Sequence, residues 1–144
     1  MASENKKSLK EIADILHARR RAYDAPPDIR MDEAGRFLRK VLGLVLPQFS
    51  EKGELDAAAI EAELAKTREE LVDLFGRASD EAAGELAKLA DQFIAELPEI
   101  AEEIRLDATA AMEGDPAANS LSEVIITYPG TFAVAAYRIA HRFY

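Results

Sequence analysis

From Ser8 to Phe143 the apolar residues of this chain recur mostly at steps of three and four, with only brief interruptions by turn-forming residues. An α-helix completes a turn in about 3.6 residues, so this spacing lays the apolar side chains along one face of each segment. Alanine accounts for 27 of the 144 residues, whereas glycine (7) and proline (6) are sparse. Alanine has the best intrinsic helix propensity, so period and composition agree. They predict an all-α fold, a bundle of about six to seven helices forming a single domain over residues 1–144, and disfavour disorder, collagen-like repeats and strand-rich folds.

The individual helices can be read from their stripes and stops. Ser8 and Glu11 have the spacing of a capping box, in which each side chain satisfies an orphan amide of the other residue. Ile12, Ile15, Leu16 and Arg19 continue that helix toward Tyr23, where Ala25-Pro26-Pro27 ends it. A second helix is capped by Asp32, carries Phe37, Leu38, Val41, Leu42, Val45 and Leu46, and stops at Pro47. A third starts near Asp56, presents Ile60, Leu64, Thr67, Leu71, Leu74 and Phe75, and ends around Gly76 and Ser79. A fourth presents Ala83, Leu86, Leu89, Phe93 and Leu97, and Pro98 is placed as the first residue of a fifth, with Ile100, Ile104, Ala108 and Met112 inside. Val124, Ile125 and Ile126 alone would suggest a short strand, but the capping-box spacing of Ser120 and Glu123 and the spacing of Leu121, Val124, Ile125 and Tyr128 favour a short helix. After Tyr128-Pro129-Gly130, Thr131 caps a closing helix with Phe132, Ala135, Ala136, Ile139 and Phe143 on one side.

Charge narrows the function classes. The net charge is −9, and it is uneven: residues 1–40 carry ten basic and seven acidic side chains, residues 51–115 six and nineteen. A nucleic-acid binder needs the opposite balance, so no nucleic-acid partner is expected. The longest apolar run, Val41 to Leu46, is far short of the roughly 20 residues that span a bilayer, and the N-terminus has no apolar signal core. No membrane partner and a cytoplasmic location are the resulting expectations. With no cysteine there is no disulfide, thiolate metal site or cysteine nucleophile. A carboxylate metal centre in a bundle pairs Glu-x-x-His motifs, and the only histidines are His17 and His141, so no metal site is expected. The acidic middle helices are read as solvated outer faces.

The last thirty residues differ. The closing helix runs without Gly, Pro or a polar tail into Arg142-Phe143-Tyr144, an ending that suggests a chain cut from a longer one. Asp115-Pro116-Ala117-Ala118, Ser122-Glu123-Val124, Tyr128-Pro129-Gly130 and Tyr137-Arg138-Ile139-Ala140-His141 follow one another in order. Together they resemble the end of the N-terminal helical domain of bacterial serine O-acetyltransferase, an enzyme of cysteine biosynthesis. The resemblance is strong over residues 113–144 and amounts only to compatible helical character over 1–112.

That resemblance implies an enzyme transferring acetyl from acetyl-CoA to L-serine, giving O-acetylserine. It implies a left-handed β-helix of hexapeptide repeats after residues 113–144, carrying the acetyl-CoA site and a catalytic His–Asp pair, with His as general base. No hexapeptide repeat occurs in this sequence, so no catalytic residue is expected in this chain and the chain alone should be inactive. The helical domain would supply the serine site with an aspartate, carried over by position to Asp115 with its neighbour Pro116, and would join subunits in a homo-oligomer. The resemblance further implies O-acetylserine sulfhydrylase as a partner, bound through a C-terminal region absent here.

Plainer explanations stand beside these. Asp before Pro commonly caps a helix or starts a turn, a role compatible with pairing to the ammonium of an amino acid. His141, among Tyr137, Arg138 and Arg142, is read as a packing histidine, and His17 with Arg19-Arg20-Arg21 as an exposed face diluted by Glu11, Asp14 and Asp24. Tyr137 and Arg138 are read as supports of a domain junction. The competing function is a free-standing helical protein–protein interaction module.

Overall fold

A computed structural model describes residues 7–20 and 30–143. Among the described residues there are six α-helices and no strand: α1 (Leu9–Arg20), α2 (Met31–Val45), α3 (Ala57–Ala78), α4 (Ala83–Gly114), α5 (Leu121–Thr127) and α6 (Pro129–His141). A single 3-10 turn, Pro47–Phe49, follows α2. The all-α expectation is met. The expected run of the first helix to Tyr23 and its stop at Ala25-Pro26-Pro27 lie outside the described residues.

Local rules set several helix starts. The Ser8–Glu11 capping box forms: Ser8 Oγ accepts from the Glu11 amide at 3.2 Å, and Glu11 Oε2 accepts from the Ser8 amide at 2.7 Å. Asp56 caps α3 by accepting from the Ala59 amide at 2.8 Å. Two expected caps are different. Asp32 is the second residue of α2, behind the extended Arg30, and its carboxylate pairs with Arg30 (3.1 Å) and Arg36 (2.9 Å). It still sits where the positive end of the helix dipole favours an acid. Thr131 lies inside the first turn of α6, which begins at Pro129 with Tyr128 as N-cap, because proline's fixed φ suits a first helical position. Gly76, expected near the end of α3, is within it, and Ser79 forms the C-cap.

The largest correction concerns Pro98. The fourth and fifth expected helices are one helix, the 32-residue α4, with Pro98 inside. A proline in a helix interior costs roughly 3 kcal/mol because it removes a hydrogen bond and crowds the preceding turn. Pro98 is exposed, however, while Phe93, Leu97, Ile100, Ile104 and Ala108 form one buried stripe through it. Each large apolar side chain buried there contributes about 1.5–3 kcal/mol, so the continuous stripe outweighs the lost bond.

α4 is the axis of the bundle, packing against α2, α3, α5 and α6. Its stripe meets Phe37, Val41 and Leu42 from α2, Leu71 and Leu74 from α3, Val124 and Ile125 from α5, and Ala135 and Ile139 from α6 in one core. Phe93 stands between Phe37 and Phe143, with ring centroids 6.5 and 4.8 Å away. Thr67, fully buried, is satisfied by donating to the Glu63 carbonyl at 2.7 Å. At the α2–loop contact, Gly43 permits a close approach: a Cβ there would stand 3.1 Å from the Phe49 carbonyl oxygen. No acidic residue of the 51–115 block is buried, as a solvated outer face requires. α1 touches none of the other helices and leaves Leu9, Ile12, Ile15 and Leu16 exposed. No helix among the described residues is long and apolar enough to cross a membrane.

Candidate functional site around Asp115

The end of α4 builds the site. Asp115 is the C-cap of that helix, with extended backbone (φ −119°, ψ 105°), so its side chain is released from the helical surface into the following turn. There Oδ1 accepts from the Ala117 amide at 2.9 Å, the local Asx geometry that short acidic side chains favour. The Asp115 carbonyl accepts from the Ala118 amide at 3.0 Å and closes the turn. Pro116 occupies the turn as an exposed residue.

The chain then enters α5. Ser120 caps it by accepting from the Glu123 amide at 3.1 Å. The Glu123 carboxylate reaches back one residue further than a capping box requires, to the Asn119 amide (2.9 Å) and Nδ2 (3.1 Å). This ties the turn after Asp115 to the start of α5. Val124 and Ile125 pin α5 to the core.

At the far end of α5, Tyr128 returns to Asp115, and its hydroxyl donates to Oδ2 at 2.5 Å. Each carboxylate oxygen thus accepts one bond, one from Ala117 within the turn and one from Tyr128, thirteen residues after Asp115. The Tyr128 hydroxyl, and secondarily the Ala117 amide, hold the Asp115 carboxyl below the usual aspartate range. The same bond pushes the Tyr128 phenol up. Asp115 is therefore ionised at neutral pH. It is also only half-buried, so an approaching cation can reach it. A carboxylate has about four lone-pair positions, and two remain for such a ligand. A cavity of about 340 Å³ that Tyr128 lines, but Asp115 does not, opens between Asp107 and Ala111 of α4 and Thr131 and Val134 of α6.

Charged residues fasten α6 beneath this turn. Arg138 binds Asp107 through two nitrogens and Glu103 through Nη1 at 2.9 Å, and Arg142 binds Glu103 at 2.9 Å. The Asp107 carboxyl is held low by the Arg138 guanidinium. Tyr137 is exposed and stacks on His141 at 5.2 Å, with the rings 16° from parallel. Arg138 is engaged by Asp107 and Glu103 rather than by Asp115, and His17 lies on α1.

A larger groove of about 410 Å³ lies elsewhere, between α2, α3 and the loop after Phe49. Its basic rim is largely spent internally, since Lys40 pairs with Glu70 at 2.7 Å and Lys52 with Glu63 at 2.6 Å. The sequence singled out Asp115 through the family resemblance, and read Tyr128 as a helix-face and turn residue of the same motif set rather than as the partner of Asp115. Nothing in local spacing marks that pair, because the length of α5 sets the return.

Residues 51–136, which include Asp115 and Tyr128, match the family described as serine acetyltransferase, N-terminal. Over 58 residues the chain is 45% identical to a protein of Synechococcus elongatus named "Serine acetyltransferase, plasmid", a stretch that is 40% of this chain. The matched stretch spans 18% of that relative's length.

Proposed function

Since the chain belongs to the serine acetyltransferase N-terminal family, we propose that it forms one wall of the L-serine site in an enzyme that transfers acetyl from acetyl-CoA to serine. In this reading Asp115 receives the substrate ammonium, a charge-assisted pairing suited to a carboxylate held ionised by the turn. The acetyl-CoA site and the general base belong to sequence outside residues 1–144, and the chain alone does not catalyse transfer. The helical domain also joins copies into a homo-oligomer.

The observation that carries the reading is the Asp115 carboxylate, half-buried and fixed by two donors within the family-matched segment. Its test is an acetyl-transfer assay on the 144-residue chain and on the full reading frame that contains it. We expect activity only from the longer protein. There, Asp115→Asn should raise KM for serine about tenfold or more while leaving KM for acetyl-CoA unchanged, the scale of a lost charged hydrogen bond. Transfer by the short chain, or an unchanged serine KM in the variant, refutes the assignment. Light scattering tests the oligomer, which a strict monomer of the full protein contradicts.

One observation favours a second reading, a helical protein-interaction module. α1 exposes Leu9, Ile12, Ile15 and Leu16 and contacts no other helix. Exposed apolar stripes of this kind serve as interaction surfaces. A full reading frame devoid of acetyl transfer would favour this alternative.

A further inference from the structure

We propose that Tyr128 is a positioning residue for serine binding: its hydroxyl, donating to Asp115 Oδ2 at 2.5 Å, orients the carboxylate that receives the substrate ammonium. The proposal rests on the serine-site reading of Asp115.

The geometry argues for orientation rather than simple adhesion. An aspartate at a helix C-cap is free to rotate about χ1 and χ2 unless both oxygens are engaged. The Ala117 amide alone engages Oδ1 and would leave Oδ2 swinging. Tyr128 engages Oδ2, and Tyr128 is itself fixed as the residue between α5 and α6. The two donors together define the plane of the carboxylate and the direction of its remaining lone pairs. Ordering the group before the ligand arrives removes an entropic penalty from binding. Tyr128 meets Asp115 rather than the reacting atoms, so it acts through Asp115 and not on the chemistry.

The groove beside Arg39 has most of its cations already paired with carboxylates. The apolar stripe of α1 has nothing seated on it that would identify an occupant. The Arg138 cluster is internally satisfied and ties two helices together.

Tyr128→Phe keeps the ring and removes only the hydroxyl, so folding should be preserved, with an unchanged far-UV spectrum. In the full-length enzyme we expect serine KM to rise about five- to twentyfold, with kcat and the acetyl-CoA KM changed less than twofold. Combined with Asp115→Asn, Tyr128→Phe should add nothing, because the group it positions is gone. In the 144-residue chain, carbon-detected NMR should show the Asp115 carboxyl titrating at higher pH once the hydroxyl is removed. A Tyr128→Phe enzyme with unaltered serine KM, or one whose effect persists in full beside Asp115→Asn, overturns the role of Tyr128 alone. An Asp115→Asn enzyme with normal serine KM overturns the serine site and the role of Tyr128 together.

Discussion

Arg138 on α6 and Asp107 on α4 form a two-point contact, with Nη2 2.9 Å from Oδ1 and Nε on the other oxygen. Glu103, one turn earlier, accepts from the same guanidinium. The planar fork of arginine makes such pairs directional as well as attractive. About 30% of each of the two side chains remains accessible, so water weakens the attraction without abolishing it. We expect Arg138→Ala to lower stability by about 1–2 kcal/mol and Tm by roughly 3–6 °C. Asp107→Asn should show a similar loss, and the double variant should lose less than the two added together. Strict additivity in thermal unfolding would show that the pair is energetically idle.

Pro98 is the strongest local conflict in the chain, an imino acid in the interior of a 32-residue helix. Its ring is exposed, so replacing it removes little packing. Pro98→Ala restores an amide that can donate to the Ile94 carbonyl, and we expect a gain of about 1–3 kcal/mol. Urea unfolding measures it directly. A loss of stability would mean that α4 needs the local bend or stiffness of proline.

Two glycines of α2 offer an internal control. A Cβ at Gly35 meets nothing within 4 Å, so Gly35→Ala should stabilise by about 0.5–1 kcal/mol through backbone entropy. At Gly43 the same methyl stands 3.1 Å from the Phe49 carbonyl oxygen and 3.4 Å from Ser50 Cα, both backbone. Gly43→Ala should therefore forfeit that gain and destabilise. Equal midpoints for the two variants in chemical denaturation would contradict the tight approach of the loop.

Acid should loosen the bundle. Hydrogen bonds from Lys52 and Lys66 hold Glu63 at about 2, and Arg138 and Tyr128 hold Asp107 and Asp115 low. A carboxyl with a lowered pKa binds its proton less readily folded than unfolded. Its contribution is complete above the unfolded values of 3.8–4.5 and disappears as pH falls through the folded ones. We expect the urea midpoint to fall between pH 4.5 and pH 2, and less steeply in Arg138→Ala. A midpoint that rises on acidification would reverse the sign of this account.

The legible parts of the fold were those governed by neighbours in sequence. The Ser8 and Ser120 caps, the start of α3 near Asp56, the buried stripes of α3 and α4, and the turn at Asp115 all follow from contacts within a few residues. Pro98 was misjudged because the decision belongs to the core around Phe93 and Ile104, which lies across several helices. Asp32 and Thr131 were misplaced as caps by two and three residues because Arg30, Arg36 and Pro129 compete for the same helix ends. In the candidate site, the Asp-Pro motif of Asp115 marked a turn, and only the family resemblance singled the residue out. The pairing of Tyr128 was not readable, because its return depends on α5 folding as seven residues and packing by Val124 and Ile125.

The unbroken α4 also acts as a ruler. At about 1.5 Å per residue its 32 residues extend about 48 Å, from the contact with α3 to the cap at Asp115. Inserting one residue after Ala108 would swing Asp115 through about 100° and carry it about 1.5 Å along the axis. Tyr128 would not follow, since α6 is fastened upstream at Glu103 and Asp107. Substitutions on the exposed side of α4 are tolerable, but its length is not free to drift: the hydroxyl and the carboxylate meet only if the residue count between them and the Arg138 anchor is kept.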